Sequence, residues 1–242
     1  MQKETPLLEV AIWRGSPTGG AFTTYSVPRQ DSQTVLDVVS WVQRNRAPDL
    51  AYRFACRVGM CGSCAMTVNG RPRWTCRTHV EKVANAGRLE IAPLRNLPVV
   101  RDLVADLNPF FDKWQTAEAR FAPTRTRAEE PERIVPDSPE RSAANAAIEC
   151  INCAVCYAAC DAVALNPAYL GPAALNRAWT LQNDSRDGAR AERLKAVAGD
   201  GGCGNCHSQQ GCAAHCPNGL NPTASIAGLK RMAARALLKG RL

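Results

Sequence analysis

Cysteine spacing constrains this chain more than any other feature. Twelve cysteines occur in 242 residues, and eleven fall into three spaced runs. At that density cysteines serve as disulfides, zinc ligands or iron–sulfur ligands. The stretch Met1 to Val10 has two acidic residues, no long apolar run and no twin-arginine pattern, so no export signal is expected there. Without export, disulfides are disfavoured.

The first run is Cys56, Cys61, Cys64 and Cys76, spaced C-x4-C-x2-C-x11-C. Its first three members match the plant-type [2Fe–2S] pattern. Gly59 and Gly62 let the backbone turn sharply and bring amide N–H groups to the sulfurs. Arg53 and Arg57 are candidates to offset the negative charge further. A structural zinc site usually takes two C-x2-C pairs. Only one is present here, so the cluster is the favoured reading.

Cys150, Cys153, Cys156 and Cys160 read C-x2-C-x2-C-x3-C, the bacterial ferredoxin run. A second copy begins 56 residues later, with Cys206, Cys212 and Cys216 aligned on Cys150, Cys156 and Cys160. The counterpart of Cys153 is Gln209. Pro217 follows Cys216 as the motif expects, whereas Asp161 follows Cys160. In two-cluster ferredoxins the fourth cysteine of each run serves the other cluster. That rule assigns Cys150, Cys153, Cys156 and Cys216 to a [4Fe–4S] cluster. It leaves Cys160, Cys206 and Cys212, three thiolates, for a [3Fe–4S] cluster. Cys203 falls outside both runs and is expected to be a free thiol, with a labile fourth ligand or redox-sensitive site as the alternative.

The rest of the chain divides in two. Leu7 to Trp13 and Phe22 to Val27 are predicted strands joined by a Gly- and Pro-containing connection. Thr34 to Asn45 is a predicted helix, with a Thr34–Asp37 capping box and Val35, Val39 and Val42 on one face. Strands are predicted at Ala65–Val68, Pro72–Thr75 and Arg88–Ile91, the first two joined by an Asn69-Gly70 turn. Residues 98–116 are predicted helical, and 117–141 an irregular linker rich in Arg, Glu and Pro. Beyond 141 the sequence predicts short helices between cysteine loops. The expected class is α+β, with domains at 1–105 and 106–242.

Net charge is +8. The aromatic residues are scattered rather than set in a basic patch, so nucleic acid is not an expected partner. No stretch reaches the roughly 18–20 consecutive apolar residues of a membrane span. The last segment carries Lys230, Arg231, Arg235, Lys239 and Arg241 with no acid. Ile226, Leu229, Ala233 and Leu237 share one helical face there, a pattern for anionic lipid or a membrane partner, or for an ordinary helix with basic residues near its C-terminus.

Together, CRVGMCGSCAMTVNG at 56–70, PLRNLPVVRDLVAD at 93–106, ECINCAVCYAAC at 149–160, LNPAYLGPAAL at 165–175, NDSRD at 183–187 and CHSQQGCAAHCPNGLNPT at 206–223 cover much of the chain. In these stretches it resembles the iron–sulfur subunits of the succinate dehydrogenase and fumarate reductase family. The resemblance implies an N-terminal β-grasp plant-type [2Fe–2S] ferredoxin domain and a C-terminal α-helical ferredoxin domain carrying [4Fe–4S] and [3Fe–4S]. It implies an FAD-containing flavoprotein partner, one or two membrane-anchor subunits, often with haem b, and quinone at their interface. Electrons would pass between flavin and quinone through the three clusters, on the cytoplasmic face of the bacterial inner membrane. His207, next to Cys206, is the expected quinone contact, since an imidazole can pass protons at neutral pH. It could instead donate a hydrogen bond to a cluster sulfur. Leu165 stands where succinate dehydrogenases carry Trp and, with CYAAC, resembles the fumarate-reductase branch. His207 and GLNPT resemble the other branch, so physiological direction stays open. Competing readings are another quinone-linked oxidoreductase with the same module, a free-standing multi-cluster carrier, and a zinc-stabilised interaction module.

Overall fold

The computed structural model describes residues 6–242. The first five residues of the N-terminal stretch, and of the domain expected to begin at residue 1, lie outside them. One compact unit runs to Leu107 and takes in Cys153–Ala158; the other comprises Asn108–Asn152 and Ala159–Leu242.

In the first unit, β1 (Leu7–Ser16) and β2 (Gly19–Pro28) form an antiparallel hairpin. Ser16 pairs with Gly19, which leaves Pro17 and Thr18 as a two-residue turn. Helix α1 (Val35–Asn45) starts where the capping box puts it. The Thr34 hydroxyl accepts from the Asp37 amide at 3.2 Å, and the Asp37 carboxylate accepts from the Thr34 amide at 3.0 Å. Such a cap stabilises a helix by about 1 kcal/mol. Strands β3 (Ala65–Val68) and β4 (Arg71–Trp74) close on Asn69 and Gly70, whose φ values of 48° and 74° suit a type I′ turn. The short helix α2 (Val80–Val83) leads into β5 (Arg88–Ala92).

The sheet order is β2-β1-β5-β3-β4, with β1 parallel to β5 and the other pairs antiparallel. Alternation along β1 sends Leu8, Val10 and Ile12 inward, where they meet Val35, Val38, Val39 and Val42 of α1. Each such burial contributes roughly 1.5–3 kcal/mol. A mixed sheet with one helix packed on it is the β-grasp arrangement expected from the sequence.

The helix expected over 98–116 is corrected. Only α3 (Asn108–Thr116) forms; ahead of it β6 (Val99–Arg101) and β7 (Val104–Ala105) make a hairpin. The β-branched pair Val99 and Val100 favours strand over helix there. Asp102, at φ 48°, then turns the chain. Its carboxylate accepts from the Gly15 amide at 3.0 Å, the Ala51 amide at 2.9 Å and the Arg14 guanidinium at 3.1 Å.

The second unit is helical. Beyond α3, residues 117–138 are irregular, and α4 (Pro139–Ile148) begins at the Ser138 cap. Helix α5 (Val155–Ala158) belongs to the first unit, where it packs against β4 and the Asn96 side chain donates to the Tyr157 carbonyl at 3.0 Å. In the second unit follow α6 (Asp161–Leu165), α7 (Gly171–Gln182), α8 (Arg190–Ala198), α9 (Gly211–Ala214) and α10 (Pro222–Leu238). A buried polar knot ties three of them. Asn176 of α7 donates to the Ala147 carbonyl of α4 at 3.1 Å and accepts from the Ser225 hydroxyl of α10 at 2.9 Å. Gly228 lets α10 approach the Trp179 ring so closely that a methyl group there would collide with it. Among the described residues no helix is long and apolar enough to cross a membrane.

Candidate metal centres

The loop between Phe54 and Cys64 is shaped around sulfur. Arg57, Gly59 and Gly62 have φ values of 59°, 75° and 71°, so the backbone curls repeatedly. The curl aims three amides at one atom: Val58, Met60 and Cys61 donate to Cys56 Sγ at 3.4, 3.2 and 3.3 Å. The Ser63 hydroxyl donates to Cys61 Sγ at 3.0 Å. That hydroxyl, followed by the Cys56 contact, lowers the Cys61 thiol to about 6. Cys64 leads into β3 and Cys76 lies in the turn after β4, both buried and within hydrogen-bonding reach of each other. Burial first, then Cys64, pushes the Cys76 thiol up to about 11, with Cys56 adding to the rise and the Gly59 amide opposing it. The four cysteines are thus gathered at one place. The amides aimed at sulfur fit an anionic cluster with thiolate ligands.

Arg53 and Arg57 make their direct contacts elsewhere. Arg53 donates to the Ala105 carbonyl at 2.9 Å, and the Arg57 guanidinium lies 4.8 Å from the Phe54 ring centroid. Gly62 has a second role. Its Cα faces Cys153, and a methyl group there would lie 2.6 Å from the Cys153 Cβ. The first cysteine loop therefore touches the first turn of the second.

The two ferredoxin-type runs share a backbone. Two and four residues after Cys150, Asn152 and Ala154 have φ values of 61° and 60°; two and four after Cys206, Ser208 and Gln210 have 57° and 61°. Gln209 therefore occupies the backbone place of Cys153. Cys150 and Cys216 are close enough to interact electrostatically, and burial pushes the Cys150 thiol up. Cys153 and Cys156 lie on the Cys153–Ala158 segment of the first unit.

Cys160, Cys206 and Cys212 line a single cavity of about 120 Å³ in the second unit. Asp161, Tyr169, His207, Gln209, Thr223 and Ile226 complete much of its wall. Burial raises the Cys160 and Cys212 thiols, and the neighbouring sulfurs add to it. The Thr223 hydroxyl lies 3.2 Å from Cys212 Sγ. Among the described residues no three Cys, His, Asp or Glu side chains close on a single ion position. Three sulfurs standing around a void fit a multi-iron cluster instead. Tyr169 escaped the sequence reading. Burial, then the Cys206, Cys160 and Cys212 sulfurs, raises its phenol far above the usual range.

Other expected residues lie as follows. His207 is exposed at the cavity rim. Leu165 ends α6 with 84 % of its surface exposed. Cys203 is buried in a short turn, and burial raises its thiol. Lys230 of α10 donates to the Cys206 carbonyl at 2.6 Å, which ties the helix to the cysteine loop.

The family model described as a 2Fe-2S iron-sulfur cluster binding domain matches residues 9–112, and that described as a 4Fe-4S dicluster domain matches residues 149–221. The fumarate reductase iron-sulfur subunit of Haemophilus influenzae is 32% identical over 236 residues, 92% of this chain and 91% of its own. That of Mycobacterium tuberculosis is 35% identical over 243 residues, 96% of this chain and 94% of its own. A mitochondrial succinate dehydrogenase [ubiquinone] iron-sulfur subunit of Oryza sativa is 35% identical over 200 residues, 82% of this chain and 70% of its own. Among solved structures, a chain of the Mycobacterium smegmatis Sdh1 complex in the apo form superposes with a TM-score of 0.85 at 28% identity, covering 96% of this chain and 97% of that one. At these identities and coverages, this chain belongs to the family of fumarate reductase and succinate dehydrogenase iron–sulfur subunits.

Proposed function

We propose that the chain relays electrons between an FAD-bearing flavoprotein subunit and quinone, within a membrane-bound succinate:quinone oxidoreductase or quinol:fumarate reductase. In this reading the domain at 1–105 holds [2Fe–2S] through Cys56, Cys61, Cys64 and Cys76. The domain at 106–242 holds [4Fe–4S] through Cys150, Cys153, Cys156 and Cys216, and [3Fe–4S] through Cys160, Cys206 and Cys212. When bound, these clusters supply one-electron carriers of graded potential.

The chain's own residues define the route. The amides of Val58, Met60 and Cys61 offset negative charge at the first site. The close approach of Gly62 to Cys153 keeps the first two ligand loops in contact. His207, at the rim of the third site, exchanges protons with quinone there. The observation that carries the reading is the repeated pattern of positive φ at 152 and 154 and at 208 and 210, which supports Gln209 as the counterpart of Cys153. One or two membrane anchors, often with haem b in this family, complete the quinone site on the cytoplasmic face of the membrane. The test is anaerobic co-purification with the flavoprotein, followed by metal analysis. The reading expects association and about nine iron atoms per chain with matching labile sulfide. Stoichiometric zinc, or a chain that purifies without flavoprotein, would refute it.

A further inference from the structure

Tyr169 is 1 % exposed, yet its ring lines the cavity shared by Cys160, Cys206 and Cys212. Its phenol shares that cavity with the three sulfurs, and Cys206 is the one that acts on it most. The backbone holds it there. The Tyr169 amide donates to the Asn166 carbonyl at 3.0 Å, and the next amide, Leu170, donates to the Gly201 carbonyl at 2.8 Å. Gly171, at φ 81°, then starts α7. Phenylalanine would fill nearly the same volume without bringing a hydroxyl into a dry wall. A buried phenol needs a partner, and the cavity it lines is also lined by three cysteines.

We propose that the Tyr169 hydroxyl donates a hydrogen bond to Cys206 Sγ and so raises the reduction potential of the third cluster. The inference rests on the ligand assignment above, and Tyr169 acts in it as a positioning and tuning residue. Reduction adds negative charge to a cluster and its thiolates. A donor aimed at one of those sulfurs stabilises the more negative state. Hydrogen bonds to the sulfurs are among the known determinants of cluster potential. A raised potential draws electrons toward the end of the chain that carries His207.

The test uses the assembled complex and a redox titration of the oxidised [3Fe–4S] EPR signal. Three proteins are compared: wild type, Tyr169→Phe and Tyr169→3,5-difluorotyrosine, the last placed by site-specific incorporation. The fluorinated phenol has nearly the same shape and donates more strongly. The midpoint should fall in Tyr169→Phe and rise with the fluorinated residue. Pulsed EPR after exchange into D2O should also lose one exchangeable proton coupling in Tyr169→Phe. Equal midpoints at full signal intensity would overturn the role of Tyr169 and leave the ligand assignment standing. If Tyr169→Phe fails to assemble the cluster, an unshifted midpoint in the fluorinated protein overturns it. Absence of the [3Fe–4S] signal in wild type would instead remove the assignment, and this inference with it.

Discussion

Asp102 turns the chain between β6 and β7 with its side chain only 4 % exposed, against two amides and the Arg14 guanidinium. Burial alone would raise its carboxyl. The Ala51 and Gly15 amides and Arg14 outweigh that and hold it below the usual carboxylate range. A depressed folded value stabilises the fold above the unfolded pKa, roughly 3.9, and that contribution is lost as pH falls through the folded value. Asp102→Asn should therefore cost about 2–4 kcal/mol at neutral pH, read by denaturant unfolding of the chain. The gap to wild type should narrow below about pH 4; a constant gap would show that shape, not charge, is at work. His207 is tested differently. His207→Ala should lower quinone-dependent turnover of the complex about tenfold or more, while turnover with an artificial acceptor upstream persists and the [3Fe–4S] signal stays intact. Unchanged quinone turnover would end its assigned role. Residues of these two kinds differ in legibility. The cysteines announce themselves because ligand spacing is local. Asp102 and Tyr169 act on groups 51 and 37 positions away, Ala51 and Cys206, and nothing near them in the chain signals it.

Elements with local causes were readable in advance. Helix α1 follows from its capping box and valine face, and the β3–β4 hairpin from Asn69-Gly70. The hairpin at 99–105 lacks such a local signal; Asp102's long-range bonds to Arg14, Gly15 and Ala51 hold it. The NDSRD stretch at 183–187 has a structural cause the sequence does not show. Asp184 pairs with Arg186 at 2.6 Å, and Asp187 pairs with Arg193 at 2.8 Å, both partners of the second pair fully buried. Arg193 also donates to the Glu118 and Arg120 carbonyls at 2.9 Å, and Asp187 accepts from the Ala122 amide at 3.1 Å. The start of the irregular 117–138 segment is thereby strapped to α8. Arg193→Met should destabilise the chain by about 3–5 kcal/mol, because it leaves a buried carboxylate unpaired. Asp187→Asn combined with Arg193→Met should recover part of that loss. A loss below about 1 kcal/mol in thermal unfolding, as for an exposed pair, would contradict this view of the strap. Helix α10 shows a mixed outcome. Of the face set out for lipid or a partner, Ile226 and Leu229 are instead buried inside the unit, whereas Leu237 is exposed.

At the scale of the chain, cysteine-bearing loops sit on two kinds of support, a β-grasp sheet and a helical unit. Residues with positive φ recur in each cysteine run: Arg57, Gly59 and Gly62 in the first, Asn152 and Ala154 in the second, Ser208 and Gln210 in the third. Fold class and family follow from the cysteine runs, since a chain so spaced has few ways to present sulfur to a cluster. Direction of electron flow does not follow, because it depends on relative potentials and on partners outside the chain. In the proposed assignment the third site is a three-thiolate cage because Gln209 stands in the place of a ligand. Gln209→Cys, compared with wild type by low-temperature EPR and iron analysis, tests it most directly. The expected result is a strong oxidised [3Fe–4S] signal in wild type, which the variant loses as it gains about one iron atom per chain and a [4Fe–4S] cluster of lower potential. An unchanged [3Fe–4S] spectrum in an iron-replete variant would contradict the register on which the assignment stands.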